Sequence, residues 1–183
     1  SLLNSLGFPN EGVRSIKSRL KKVSDDICLG VNIGPNKDTA PEEVINDYLL
    51  CYEEVFEYAD FVTINISSPN TPNLRSLHNA ENFKAVINAI LSERNRHQKK
   101  PKIFIKISPD EESKTYINLI EIINNSAIDG AIISNTSNNQ NLKESLNVAH
   151  LPGGISGKSL KISSNKILKE IKTMINKEKI IVA

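Results

Sequence analysis

Short apolar runs alternate with longer amphipathic stretches along this chain. The short runs are rich in Ile, Val and Phe, which are typical strand residues, and the longer stretches repeat apolar side chains at i, i+3, i+4 and i+7, as helices with one buried face do. The predicted strands are Leu29–Ile33, Phe61–Ile66, Lys102–Ile107, Gly130–Ser134 and Ile180–Ala183. The predicted helices fall within residues 41–58, 83–91, 116–123 and 167–175.

A strand followed by a helix, four times in succession, indicates parallel strands joined by crossover helices. Two architectures fit this order, a (β/α)8 barrel and an open doubly wound sheet, and periodicity alone does not separate them. The chain starts at Ser1 without an initiator methionine and stops in the apolar run Ile180–Ala183. We therefore expect it to be an internal piece of a longer protein.

Composition and charge narrow the function classes. The 183 residues are 39% hydrophobic and 24% charged, as in ordinary globular domains, and no apolar run is long enough to span a membrane. A net charge of +2 is too balanced to indicate a nucleic-acid surface. Cys28 and Cys51 form no CxxC pair and cannot make a disulfide framework or a zinc site. Free cysteines are usually buried, so we expect two buried thiols. The histidines lack metal-ligand spacing, so we expect no metal site.

Polar residues stand at or just after the carboxyl ends of four predicted strands, at Asn32, Asn65, Lys106 and Asn135. The carboxyl ends of parallel strands meet at one rim, so these side chains can converge on one site. Asparagine is abundant in this chain, which makes three asparagines suggestive rather than decisive. Lys106 is the strongest indication, because a lysine inside an apolar strand is costly unless it meets an anion.

The second predicted strand and the loop after it carry the most specific pattern. Residues 61–77 read FVTINISSPNTPNLRSL, which closely resembles the active-site segment of the dihydroorotate dehydrogenase family, in particular of its class 2, quinone-dependent members. Five further blocks resemble the family in the same order: LNSLGF at Leu3–Phe8, GVNIGPNKDT at Gly30–Thr39, FIKISPD at Phe104–Asp110, DGAIISNTS at Asp129–Ser137 and GGISGKSL at Gly153–Leu160.

This resemblance implies an α/β fold, an FMN-binding (β/α)8 TIM barrel, and so favours the barrel over the open sheet. The chain would form one domain, residues 1–183, that holds a partial barrel of about strands 3 to 7. An N-terminal membrane-associating region and the last barrel units would lie outside it.

The resemblance also implies roles for individual residues. Ser68 stands where class 1 members carry cysteine, and it is implied to be the general base that removes a proton from C5 of dihydroorotate while a hydride leaves C6. Thr71 and Phe8 match the positions that order the proton relay. The implied substrate contacts are Asn4, Asn65, Asn70, Asn135 and Thr136, and the implied FMN contacts are Asn32, Asn65, Lys106, Ser134 and Gly157.

The activity implied by the resemblance is oxidation of dihydroorotate to orotate in de novo pyrimidine synthesis, with FMN as hydride acceptor and a membrane quinone as final electron acceptor. Such a protein is peripheral to the bacterial cell membrane or the mitochondrial inner membrane. Two alternatives are a non-catalytic flavin-binding module derived from the same barrel and another barrel flavoenzyme that reduces a pyrimidine ring. The presence of Ser68 and Lys106 disfavours the binding module, because such a module needs no base.

Overall fold

The computed structural model of the chain describes residues 1–7, 9–24, 26–67 and 80–183. Its largest unit is a five-stranded sheet, beside which β1 and β6 form a two-stranded ribbon. Short 3-10 turns, Pro41–Glu43 and Lys158–Leu160, lead into the second and sixth helices. In chain order the elements are β1 (Leu2–Asn4), α1 (Val13–Leu20), β2 (Gly30–Ile33), α2 (Val44–Val55), β3 (Phe61–Asn65), α3 (Ala80–Arg96), β4 (Lys102–Ile107), α4 (Ser113–Asn124), β5 (Gly130–Ile133), α5 (Gln140–Ser145), β6 (Gly154–Ser156), α6 (Lys161–Met174) and β7 (Ile180–Val182).

The strands of the sheet follow one another in the order β2-β3-β4-β5-β7, and every neighbouring pair is parallel. A doubly wound sheet reverses its strand order at a switch point, whereas a barrel keeps adding strands in one direction. The described strands show no reversal. The sheet is therefore an arc of a (β/α) barrel, which confirms the predicted partial barrel. All five predicted strands are present, although four were predicted one residue too long.

The pairing register sorts the strand side chains onto two faces. Asn32 lies opposite Thr63, and Asn65 lies opposite Lys106, so these four residues share one face of the sheet. The other face is apolar and packs against the helices, and its buried residues include Val62, Ile64, Ile103, Ile105, Ile107, Ala131 and Ile133. Burial of this apolar face supplies most of the hydrophobic stabilisation, and it leaves the first face free to carry polar groups.

Two aspartates hold the amino-terminal ends of the strands together. Asp60, just before β3, accepts a hydrogen bond from the backbone N–H of Leu29 at 2.7 Å. Asp129, just before β5, accepts from the N–H of Ile103 at 2.8 Å and pairs with Arg94 of α3 at 3.0 Å. Each carboxylate therefore fixes the register between its own strand and the preceding one.

The β1–β6 ribbon joins the sheet at the carboxyl end of β5. Ser137, four residues after β5 ends, forms an antiparallel bridge to Ile155 of the ribbon. Gly153 is required at the start of β6, because its φ is +107° and a Cβ there would lie 2.3 Å from the carbonyl oxygen of Asn4. The hydrophobic pattern did not predict this ribbon, since three-residue strands are too short to show an alternation.

Two further points concern the sequence-based expectations. The prediction of buried thiols was wrong for Cys28, which is exposed, while Cys51 is half-buried and its burial raises the pKa of the thiol to about 11. None of the helices in the described ranges combines the length and the apolarity needed to cross a bilayer.

We expect Asp129→Ala to lower the free energy of unfolding by about 2–3 kcal/mol, because it removes the acceptor of a strand N–H and the anion beside the largely buried Arg94 side chain. Urea unfolding of the full-length protein, followed by far-ultraviolet circular dichroism, measures this loss. Glu121→Ala removes an exposed acid from α4 and is the matched control. Equal effects of the two changes would show that the Arg94–Asp129 pair does not stabilise the barrel.

Candidate functional site

The carboxyl ends of β3, β4 and β5 bring three of the predicted site residues together. Asn65 is the last residue of β3 and Lys106 is its register partner on β4. Asn135 follows β5, and its backbone N–H donates to the carbonyl of Ile107 at 2.9 Å. The predicted convergence of polar side chains at one rim is therefore present for these three residues.

A buried serine, Ser67, connects these three strand ends. Its hydroxyl donates to the carbonyl oxygen of Lys106 at 2.9 Å and accepts from the side-chain amide of Asn135 at 3.0 Å. Its backbone N–H donates to Oδ1 of Asn65 at 3.2 Å, and the amide of Asn135 lies 3.3 Å from the same oxygen. We call Asn65, Ser67 and Asn135 the rim network. Buried polar groups that are paired in this way hold a fixed geometry.

The rim network is also held from behind by Tyr48 of α2. The Tyr48 hydroxyl, which is fully buried, donates to the carbonyl oxygen of Asn65 at 2.9 Å. Burial raises the pKa of Tyr48 well above its ordinary value, so the hydroxyl keeps its proton and remains a donor across the working pH range. The backbone at the end of β3 is thus fixed on both sides.

Lys106 places a positively charged side chain at this rim. Its side chain is half-buried, and in the described part of the chain no acidic group or hydrogen-bond acceptor contacts the ammonium group. Burial lowers the pKa of Lys106, since the charged form is less well solvated there than in water. A fixed positive charge of this kind is suited to an anionic or electron-rich group held at the rim.

Three further predicted site residues lie near the rim network, namely Asn32, Ser134 and Thr136. Asn32 is exposed on β2, on the same face as Asn65 but one pair further from the rim. The hydroxyl of Ser134 lies 3.1 Å from that of Ser164 in α6 and donates to the carbonyl of Asn135 at 3.1 Å. Thr136 is half-buried, and its N–H donates to Oδ1 of Asn135 at 2.9 Å.

Asn4 and Gly157 belong to the ribbon rather than to the strand ends. Asn4 pairs with Gly154, and its side-chain oxygen accepts from the N–H of Leu6 at 2.8 Å. Gly157 follows β6 with a φ of +84°, a conformation that favours glycine. Neither residue has a hydrogen bond to the rim network among the described contacts. Phe8, Ser68, Asn70 and Thr71 lie outside the described residues.

The sequence reasoning missed Ser67, although a signal for it was present. Ser67 stands two residues after Asn65, and side chains at i and i+2 of an extended chain point to the same side. The family resemblance instead singles out the neighbouring Ser68, which matches the position of the implied base. The structure shows that the first serine of the pair has the structural task of joining β3 to β4 and β5.

One cleft of the described residues lies at the carboxyl end of the edge strand β2 rather than among the ends of β3, β4 and β5. It has a volume of about 950 Å³ and lies along the edge strand β2, between residues 5–16 and α2. Of the predicted site residues that the structure describes, only Asn32 lines it, and no residue of β3, β4 or β5 does. The described part of the chain also contains no group of three or more His, Cys, Asp or Glu side chains that could hold a metal ion.

The chemistry of the rim is that of recognition of a flat, polar, electron-rich ring. Side-chain amides offer both a donor and an acceptor, so they match the alternating N–H and C=O edges of a heterocycle. The ammonium group of Lys106 adds a positive charge beside them. Amide groups and a positive charge at one rim can therefore bind and orient such a ring.

Comparison with known proteins gives a consistent result over the whole chain. The sequence profile described as dihydroorotate dehydrogenase matches residues 1–183. A dihydroorotate dehydrogenase (quinone) from Pectobacterium carotovorum is 39% identical over 174 residues, which are 93% of this chain and 52% of that protein. The protein of the same name from Escherichia coli O1:K1 is 37% identical over 179 residues, which are 96% of this chain and 53% of that protein. The chain thus spans about half the length of these curated relatives.

Two solved structures of dihydroorotate dehydrogenase from Eimeria tenella have the same fold as this chain. The ligand-free structure gives a TM-score of 0.89 at 30% identity and covers 99% of this chain and 56% of its own. The complex with ferulenol gives a TM-score of 0.87 at 29% identity and covers 98% of this chain and 54% of its own. The matched parts of these two proteins therefore have the same partial barrel that the strand order of this chain indicates.

We expect Ser67→Ala to lower the free energy of unfolding by about 1–2 kcal/mol, because it removes one hydrogen-bond partner each from the half-buried amide of Asn135 and from the carbonyl of Lys106. Ser18→Ala is the matched control, since the exposed Ser18 hydroxyl donates only to the nearby carbonyl of Ser15. The control should change stability by less than about 0.5 kcal/mol. Urea unfolding of both full-length variants tests the difference, and a Ser67 variant as stable as the control would contradict this role.

Proposed function

The chain belongs to the dihydroorotate dehydrogenase family, and on this premise we propose that the protein oxidises dihydroorotate to orotate, with a quinone as the final electron acceptor, in de novo pyrimidine synthesis. The observation that carries the proposal is the rim itself, where the rim network links the ends of β3 and β5 across β4, and where the Lys106 ammonium of β4 contacts no acidic group or acceptor among the described residues. The names of the curated relatives support the quinone as acceptor.

FMN is the proposed cofactor, and the residues present fit it. The half-buried Lys106 has no anionic partner in the described ranges, which is the state expected of a lysine whose partner is a bound group. Lys106 would lie beside the electron-rich edge of the ring, and Asn32, Asn65, Ser134 and Gly157 would supply further contacts. Bound FMN would accept the hydride that leaves dihydroorotate.

Substrate binding is assigned to amide side chains at the same rim. Asn65 and Asn135 would hold the amide edges of the pyrimidine ring, with Thr136 beside them and with Asn4 and Asn70 completing the set. The rim network supports this assignment, because it fixes the Asn65 and Asn135 amides before any ligand arrives. Fixed groups of this kind bind a planar ring with little loss of conformational freedom.

Ser68 is the proposed general base. It would take the proton from C5 as the hydride leaves C6, so that the C5–C6 double bond of orotate forms. A serine hydroxyl is a weak base, and the proton must pass onward, a task that we assign to Thr71 and Phe8 as the residues that order the relay. The position of Ser68 next to the anchored Ser67 supports this assignment, because the anchor fixes the chain on one side of the base.

The whole protein would contain more than this chain. A barrel arc needs further strands to close, and the relatives extend well beyond the matched segment. We propose that residues 1–183 are part of one barrel domain and that peripheral contact with a membrane, where the quinone is dissolved, comes from a region outside them. The membrane would be the bacterial cell membrane or the mitochondrial inner membrane.

The proposed function is tested by two half-reactions of the purified full-length protein under anaerobic conditions. Dihydroorotate should bleach the flavin absorbance, and a soluble quinone should restore it, whereas NAD+ and fumarate should not. Failure of dihydroorotate to bleach a flavin that dithionite does bleach would refute the dehydrogenase and favour a non-catalytic binding module. Bleaching by dihydroorotate with recovery by NAD+ or fumarate instead would refute the quinone.

We expect Ser68→Ala to slow flavin bleaching by dihydroorotate by a factor of about 10³ or more, because it removes the group that takes the proton. Orotate affinity should change little. Ser145→Ala, on the exposed surface of α5, is the control and should bleach at the wild-type rate. Stopped-flow absorbance measures both rates, and fast bleaching by the Ser68 variant would show that the base is another residue.

We expect Lys106→Met to slow bleaching by about a hundredfold and yet to stabilise the flavin-free protein. The stability gain arises because burial lowers the pKa of Lys106 below its unfolded value of 10.5, so the folded state disfavours the charged form. The gain is full at neutral pH and shrinks as the pH rises from the lowered pKa toward 10.5. Urea unfolding at pH 7 and pH 10 measures it, with the exposed Lys84→Met as control. Lower stability of the Lys106 variant at pH 7 would contradict this account.

A further inference from the structure

Asp110, in the loop between β4 and α4, uses both carboxylate oxygens on the segment that follows β5. Its Oδ1 accepts from the hydroxyl of Ser137 at 2.5 Å, and its Oδ2 accepts from the backbone N–H of Asn138 at 2.5 Å. Hydrogen bonds to an ionised carboxylate are shorter and stronger than neutral ones. These two residues come directly after Asn135 and Thr136, which the proposed function assigns to the substrate.

The segment 135–138 is therefore anchored at both ends. At its start, the N–H of Asn135 donates to Ile107 of β4 at 2.9 Å. At its end, the Asp110 carboxylate holds Ser137 and Asn138. Thr136 lies between the two anchors, and its own N–H donates to the side chain of Asn135 at 2.9 Å. Removal of the Asp110 carboxylate would take away the contacts of the Ser137 side chain and of the Asn138 N–H, and would leave the backbone of Ser137 as the remaining attachment on the side of Thr136.

Ser137 extends this anchor to the ribbon. It is 1% exposed, and its backbone exchanges two hydrogen bonds with Ile155, at 3.0 Å and 2.7 Å. Asp110 is itself positioned, since its N–H donates to the hydroxyl of Ser108 at 3.1 Å. One carboxylate thus links the loop after β4, the loop after β5 and, through Ser137, the ribbon that carries Asn4.

We propose that Asp110 is a positioning residue for substrate binding, which acts by fixing Asn135 and Thr136 without touching the ligand; this inference rests on the proposed function. Asp110 is exposed, so its loss leaves no uncompensated charge in the core and should cost little global stability. Its effect should therefore fall on binding. Loss of contacts made equally to substrate and transition state raises KM and leaves kcat nearly unchanged.

The test uses the full-length flavin-loaded protein and the variants Asp110→Ala, Asp110→Asn and Ser137→Ala. We expect Asp110→Ala to raise the KM for dihydroorotate and the Kd for orotate by about tenfold, with the limiting rate of flavin bleaching within about twofold of wild type. Asp110→Asn keeps the shape and one acceptor oxygen, and should give an increase of about threefold. Glu112→Ala removes a neighbouring exposed acid from the same loop and should change neither value.

Hydrogen exchange followed by mass spectrometry supplies a readout that does not depend on activity. Peptides covering residues 135–141 should exchange faster in ligand-free Asp110→Ala than in wild type or in Glu112→Ala. A double variant with Ser137→Ala should add less than the sum of the single effects, because both changes break one shared contact.

Unchanged KM, orotate Kd and exchange in Asp110→Ala would overturn the positioning role. A reduced kcat with unchanged KM and Kd would also overturn it. That result is expected when less of the enzyme is folded, and not when the folded enzyme binds its substrate more weakly. If Asp110→Ala does not yield folded protein, Asp110→Asn and Ser137→Ala carry the same test. Failure of the wild-type protein itself to bind orotate or to be bleached by dihydroorotate would instead refute the proposed function, while the exchange comparison still reports on the anchor.

Discussion

The hydroxyl of Ser67 is the contact on which the arrangement of the rim depends. A parallel sheet fixes where its strands end, but it does not fix the chain beyond those ends, where ladder hydrogen bonds stop. Ser67 solves this by donating to β4 and accepting from the segment after β5 while its own chain continues from β3. Because the group is buried, each of these partners is costly to lose. The side chains of Asn65 and Asn135 are consequently fixed relative to each other without a ligand.

The two faces of the sheet also have separate roles. One face is continuous Ile, Val and Ala and is covered by helices, so that it provides the stability of the arc. The other face carries Asn32, Thr63, Asn65 and Lys106 in register, and it can do so only because the first face already supplies the core. Polar side chains on the inner face of a barrel arc then rise toward the rim, where the loops after the strands add the remaining groups.

The fold was largely predictable because five Ile- and Val-rich runs and four amphipathic stretches have distinct periods. The ribbon was not, because β1 and β6 owe their pairing to a glycine conformation and to the bridge from Ser137, neither of which has a period. At the site, Asn65, Lys106 and Asn135 followed from their places at strand ends. Ser67 and Asp110 did not, since their importance comes from hydrogen bonds between loops distant in sequence. The burial of Cys28 was wrongly predicted from residue type alone. The residue lies in the connection between α1 and β2, where its side chain is exposed.

Arg94 and Lys106 show how the two ends of the barrel divide their tasks. Both are cations that are largely or partly removed from water, and the same physical cost applies to both. At the amino-terminal end, Arg94 forms an ion pair with Asp129 and donates to the carbonyl of Ala127, so its charge is paired with an anion inside the protein. At the carboxyl end, Lys106 has no such match in the described residues, and its pKa is lowered accordingly. The cation at the amino-terminal end thus has an anion within the protein, whereas the described residues offer none to Lys106, and this difference in charge pairing is the physical ground for seeking a ligand at the rim rather than at the opposite end.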